Sequence, residues 1–74
     1  MSVLPALTAR EVIRKLVRAG FRFIYAKGSH YFFHNSISNR ITSVPVHSGK
    51  NIGRGLLRKI LKQAGITVKE FIKL

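Results

Sequence analysis

Residues 21 to 46 are crowded with aromatic and β-branched side chains, and they lie between two segments whose apolar residues recur at helical spacing. This change of period, from 3.6 to 2 and back, sets the order of elements and so constrains the fold more than any other feature of the chain. Thr8-Ala9-Arg10-Glu11 has the Ser/Thr-x-x-Glu form of a capping box, and Val12, Ile13, Leu16 and Val17 then keep one apolar stripe as far as Gly20. A helix over about residues 8–19 is predicted. Gly20 suits the left-handed position past a helix end, with Phe21 as the hydrophobic contact of a Schellman motif. Leu56, Leu57, Ile60, Leu61 and Ala64 predict a second helix over residues 54–64, and Gly65-Ile66 repeats the same ending. Thr67-Val68-Lys69-Glu70 is a second capping box, predicting a short third helix docked through Val68, Phe71 and Ile72.

Between the helices, Phe21–Tyr25 and Ser29–His34 read as two strands of a hairpin broken at Lys27-Gly28. Asn35 to Arg40 is turn-forming, Ile41–Val44 is a third strand ended by Pro45, and His47–Gly53 is a loop. The expected fold is α+β: a three-stranded antiparallel sheet with helices packed on one face and the other face wet. One domain over residues 1–74 suits this length. Alternation puts Ser29, Tyr31 and Phe33 on one face of the second strand and His30, Phe32 and His34 on the other. Both sets hold aromatics, so alternation alone does not choose the buried face.

Fourteen Lys and Arg stand against two acids, for a net charge of +12, while 46% of the residues are hydrophobic. Such a chain can bury a core and still repels itself, which points to a polyanionic partner: RNA, DNA or an acidic protein. Glu11 and Glu70, near opposite ends, are the only side-chain carboxylates. Carboxylate-dependent metal catalysis, a glycosidase pair and a Ser-His-Asp triad all need acids that this chain lacks. With no Cys there is no disulfide and no thiolate zinc site. His30 and His34 alternate as metal ligands do, but a third strong ligand is missing, so neither a metal nor another cofactor is expected. Met1 to Leu7 lacks a basic leader region and no run approaches membrane-spanning length. A soluble, intracellular and hence cytoplasmic protein is expected.

Metal-free cleavage of RNA suits this composition. A neutral imidazole can take the proton from a 2′-hydroxyl, and Lys or Arg can stabilise the charge that develops on phosphorus. His30, at a strand start beside Lys27, Gly28 and Ser29, is the best-placed base. Lys50, Arg54, Arg58, Lys59 and Lys62 cluster around a loop and helix start, which suits phosphate contacts. Arg10, Arg14, Lys15 and Arg18 form a second basic face that is as readily solvated as bound. Most of the aromatics read as core, with Phe32 the exception that could stack on a base. Two rival readings share this charge: a non-catalytic double-stranded-RNA-binding module and a cationic DNA-associated protein.

Lys27-Gly28-Ser29-His30 with Phe33 three residues on, then Val44-Pro45-Val46-His47, then the run from Gly55 to Ile66, resembles the HicA-type mRNA interferase toxins. The resemblance spans most of the chain. It implies a fold like the double-stranded-RNA-binding domain, ordered α-β-β-β-α, and a ribonuclease that cleaves mRNA and halts growth. It places the catalytic imidazole on His30 and a core side chain on Phe33. Tyr31 and Phe33 then face inward, and His30, Phe32 and His34 outward. Tyr31 stands where relatives often have a second His, and Leu56 where they often have Thr. The resemblance further implies a HicB-type antitoxin that covers the site, with the free toxin monomeric. From the residues themselves, Lys27, Gly28 and Ser29 are read as supporting groups, and His34 and His47 as structural or accessory rather than essential, with His47 also a candidate acid for the leaving group.

Overall fold

The computed structural model describes residues 4–74, so the start of the opening apolar stretch, Met1 to Val3, lies outside the described residues. Thr8 caps helix α1 (Ala9–Arg18) through its hydroxyl, which accepts from the Glu11 N–H at 3.3 Å, while Glu11 Oε1 accepts from the Thr8 N–H at 3.0 Å. Ala9, Val12 and Leu16 form its buried stripe. The helix stops where expected: Gly20 takes a φ of +101° and Phe21 turns into the core.

Three strands follow, β2 (Phe21–Lys27), β3 (His30–Asn35) and β4 (Arg40–Pro45), paired antiparallel in the order β2-β3-β4. The first strand runs two residues further than its sequence suggests. Ser29 falls in the turn and not in the strand, because Gly28 and Ser29 close a two-residue hairpin with Lys27 opposite His30. Gly28 has a φ of +58° and Ser29 no positive φ, the sign pattern of a type II′ turn, whose twist matches that of the strands. Pro45 joins the end of β4 opposite His30, where an edge strand tolerates its missing N–H.

A bulge interrupts β2 between Phe23 and Tyr25. Phe23 opposes Phe33 on the inner face, Ile24 has no partner in the register, and Tyr25 opposes Phe32 on the outer face. Simple alternation would have kept Phe21, Phe23 and Tyr25 together. Phe23 and Tyr25 are 53% and 51% exposed, so neither is the core residue that composition suggested.

Helices α1 and α2 (Arg54–Ala64) pack on the inner face around Phe21, Phe33 and Val44, with Leu57, Ile60 and Leu61 supplied by α2. Thr42, itself buried, donates from Oγ1 to the Ile60 carbonyl at 3.0 Å and so fastens β4 to α2. Asn35 joins three segments. Its Nδ2 donates to the Ala19 carbonyl at 3.2 Å, and its Oδ1 accepts the N–H groups of Ile37 and Ser38. Two two-residue strands, β1 (Leu7–Thr8) and β5 (Asn51–Ile52), form an antiparallel pair that the sequence did not disclose. They tie the loop before α2 to the start of α1, burying Leu7 and Ile52.

The short third helix is present as α3 (Val68–Ile72), with Thr67 and Glu70 forming its capping box. Phe71 is fully buried and Val68 half-buried, but Ile72 is 41% exposed and does not dock as expected, because the helix is too short to bury a second flank. Lys15 is drawn out of the basic face of α1. Its Nζ donates to the carbonyls of Leu74 at 2.8 Å and Phe71 at 3.4 Å and lies 5.2 Å from the Phe71 ring centre, so it binds the end of α3 electrostatically.

Hydrogen bonds from Thr8 and Thr67 hold the Glu11 and Glu70 carboxyls below the usual carboxylate range. Their contribution to stability is therefore present above that range and is lost as pH falls through the lowered values. Thermal midpoints measured from pH 7 downward should drop in the acid range, and Glu11→Gln with Glu70→Gln should flatten that drop; an unchanged acid slope in the double variant would contradict the capping account. Gly65, with φ +72°, ends α2 in the left-handed region, and a Cβ there would come within 2.6 Å of Arg40 Cδ. Gly65→Ala should cost about 1–2 kcal/mol, read as a lower urea midpoint at constant m-value.

Candidate functional site

His30 opens β3 on the outer face of the sheet, held between Lys27 on β2 and Pro45 on β4 by the strand register. The turn that delivers it is braced from the far strand: the Ser29 carbonyl accepts the Val46 N–H at 2.7 Å. That bond also fixes the backbone just before His47. Where α2 packs along the edge strand β4, a cleft of about 330 Å³ opens. His30, Ser43, Pro45 and His47 form its sheet side. Leu56, Lys59, Ile60 and Gln63 form its helix side.

A smaller hollow of about 100 Å³ adjoins it, sharing Pro45, His47 and Leu56 and lined further by Lys50, Asn51, Ile52 and Gly53. Gly53 is the N-cap of α2 and makes no side-chain capping bond, and the first turn of α2 carries no acid. Among the described residues the first N–H groups of this helix thus have no side-chain acceptor, and their partial positive charge adds to that of Lys50. Glu11 and Glu70 are engaged in their capping boxes and line neither cavity.

The residues singled out from sequence are only partly brought together. His30, His47 and Lys59 share the cleft, Lys50 lies in the adjoining hollow, and Lys27, Gly28 and Ser29 are the turn and cross-strand neighbours of His30. Arg54, Arg58 and Lys62 are exposed on α2 but outside the cleft lining. A helix advances 100° per residue, so Lys62 is about 60° and Arg58 about 100° around the axis from Lys59. His34 is used elsewhere: its Nε2 lies 2.9 Å from Asn39 Oδ1, bracing the β3–β4 turn where Asn39 takes a φ of +58°. No group of three or more His, Cys, Asp or Glu side chains converges among the described residues.

Ser43 and Gln63 were not anticipated. Strand alternation puts Ser43 opposite to buried Thr42 and Val44, but its place beside His30 depends on the β3–β4 register, which only the structure supplies. Gln63 follows Leu56 by two helical turns and continues the same stripe.

Fold and site together define a small, strongly basic α+β protein of α-β-β-β-α order with two imidazoles and a lysine in a surface cleft. Among proteins of this kind, the family described as the HicA toxin of bacterial toxin–antitoxin systems matches residues 9–66, and the chain belongs to that family. A curated relative, the probable mRNA interferase HicA of Pseudomonas fluorescens (strain Pf0-1), is 39% identical over 56 residues, which is 76% of this chain and 90% of that protein. All the cleft residues fall inside the family match, whereas α3 lies beyond it.

Proposed function

We propose that this toxin is a metal-independent endoribonuclease that cleaves mRNA, with His30 as general base. The observation that carries the reading is the convergence of His30, His47 and Lys59 in one cleft on an otherwise acid-poor, basic protein. The neutral imidazole of His30 takes the proton from a ribose 2′-hydroxyl. The 2′-oxygen then forms a bond to phosphorus as the bond from phosphorus to the 5′-oxygen breaks. His47, as imidazolium, protonates that departing oxygen, and Lys59 stabilises the negative charge on the non-bridging oxygens. The products are a 2′,3′-cyclic phosphate and a 5′-hydroxyl.

Lys27 and Ser29 support this step from the hairpin. Gly28 permits the turn that places His30 beside Pro45. Lys50 and the open start of α2 receive a neighbouring phosphate, and Arg54, Arg58 and Lys62 attract the RNA at longer range. The chain acts as a single domain, monomeric when free and working in the cytoplasm. Its cognate antitoxin, of the HicB type, covers the cleft and neutralises the charge; the family description and a net charge of +12 support a protein partner of acidic character.

His30→Ala should abolish cleavage of a long single-stranded RNA in EDTA, leaving the fold and RNA affinity nearly intact, while a matched DNA stays whole even with wild-type protein. Retained cleavage by folded His30→Ala would sink the assignment. Binding without turnover by either protein would favour a non-catalytic RNA-binding module. Lys59→Ala should lower the single-turnover cleavage rate by about 100-fold, the usual scale for one charge-stabilising donor. Arg54→Ala and Arg58→Ala remove the same charge outside the cleft, so they should weaken binding and reduce its salt dependence while leaving the bound-state rate nearly unchanged.

A further inference from the structure

Beside the catalytic cleft lies a second hollow of about 350 Å³, lined by Phe32, Ile41, Thr42, Ser43 and Gln63. Ser43 and Gln63 line both, so the two spaces adjoin. Phe32 is presented by an aromatic stack: its ring lies 4.6 Å from that of Tyr25, with only 7° between their planes. Tyr25 reaches this position because the β2 bulge carries it to the outer face opposite Phe32. Tyr25 covers the β2 side of the ring, which leaves the β4 side, towards Ser43 and Ile41, bordering the hollow.

The polar groups there can be read edge-on. The Thr42 hydroxyl shares its one proton between the Ile60 carbonyl at 3.0 Å and Gln63 Oε1 at 3.2 Å, so it faces that amide, whose NH2 makes no hydrogen bond among the described residues. The Ser43 hydroxyl likewise has no hydrogen bond among the described residues and can donate or accept. Arg22 and Lys27 share the outer face with Phe32, opposite His34 and His30, and neither acid of the chain lines the hollow.

We propose that this hollow is a nucleobase slot: Phe32, backed by Tyr25, stacks on the base of a nucleotide flanking the cleaved phosphate, and Ser43 and Gln63 hydrogen-bond its edge. The inference rests on the ribonuclease reading above and makes single-stranded RNA the substrate class, because a base paired and stacked in a duplex cannot enter an aromatic slot. An aromatic platform in basic, acid-free surroundings suits a base joined to phosphates better than an acidic peptide, which offers no π face.

Binding separates this proposal from the chemistry. In His30→Ala protein, fluorescence anisotropy with a labelled single-stranded RNA and with a duplex of the same length should show preference for the single strand. Adding Phe32→Leu, which keeps apolar bulk but removes the ring, should weaken single-strand binding about 10-fold, within the range for one stacked base. Phe32→Tyr should retain the affinity, and thermal unfolding of each variant shows that it is folded. Unchanged affinity in folded Phe32→Leu, or equal binding of duplex and single strand, would overturn the slot and leave this face to a protein partner. Cleavage by the wild type is scored separately: ring-dependent binding without any cleavage would support the slot while removing the nuclease reading.

Discussion

Phe33 sits almost wholly buried at the middle strand of the sheet, edge-on to Phe23 and under the helices, and the placement of the site follows from that burial. A strand reverses the direction of its side chains at each residue, so anchoring Phe33 inward sends His30, three residues earlier, to the outer face. A register slip of one residue would bury His30 and expose Phe33, at a cost of roughly 2–3 kcal/mol for the ring alone. The two-residue turn at Gly28-Ser29 and the bulge in β2 absorb whatever the pairing of the neighbouring strands would otherwise force. The imidazole is thus held by the core without being part of it.

The same economy governs charge. A chain with two acids has few ways to stabilise helices electrostatically, and both are placed at helix starts, in the capping boxes of α1 and α3. The helix that borders the cleft receives neither. Its first turn keeps its partial positive charge next to Lys50 and His47, where an acid would repel a phosphate. Lys15 shows the reverse case: a positive side chain diverted from the surface to the carbonyls at the end of α3. The basic faces are therefore not uniform, and position relative to the cleft decides what each cation does.

Much of this is legible in the residues. Capping boxes and glycine stops are local chemistry, so the limits of α1, α2 and α3 follow from the sequence nearly to the residue. The strands are less legible, because their ends depend on partners. Ser29 is a turn residue only once Lys27 pairs with His30, and Tyr25 faces outward only because Ile24 bulges. The pair β1–β5 joins two dipeptides too short to carry any periodicity. In the site, His30, His47 and Lys59 could be named from residue type and motif, but Ser43 and Gln63 could not, since their relevance arises from the packing of α2 on β4.

In the proposed mechanism the RNA supplies its own nucleophile and the protein supplies proton transfer and positive charge. Mass spectrometry of the ends generated by wild-type protein on a defined single-stranded RNA tests this most directly. The expected ends are a 2′,3′-cyclic phosphate on the upstream fragment at early times and a 5′-hydroxyl on the downstream one. A 3′-hydroxyl paired with a 5′-phosphate would mean that water, and not the ribose, attacked phosphorus, and would contradict it.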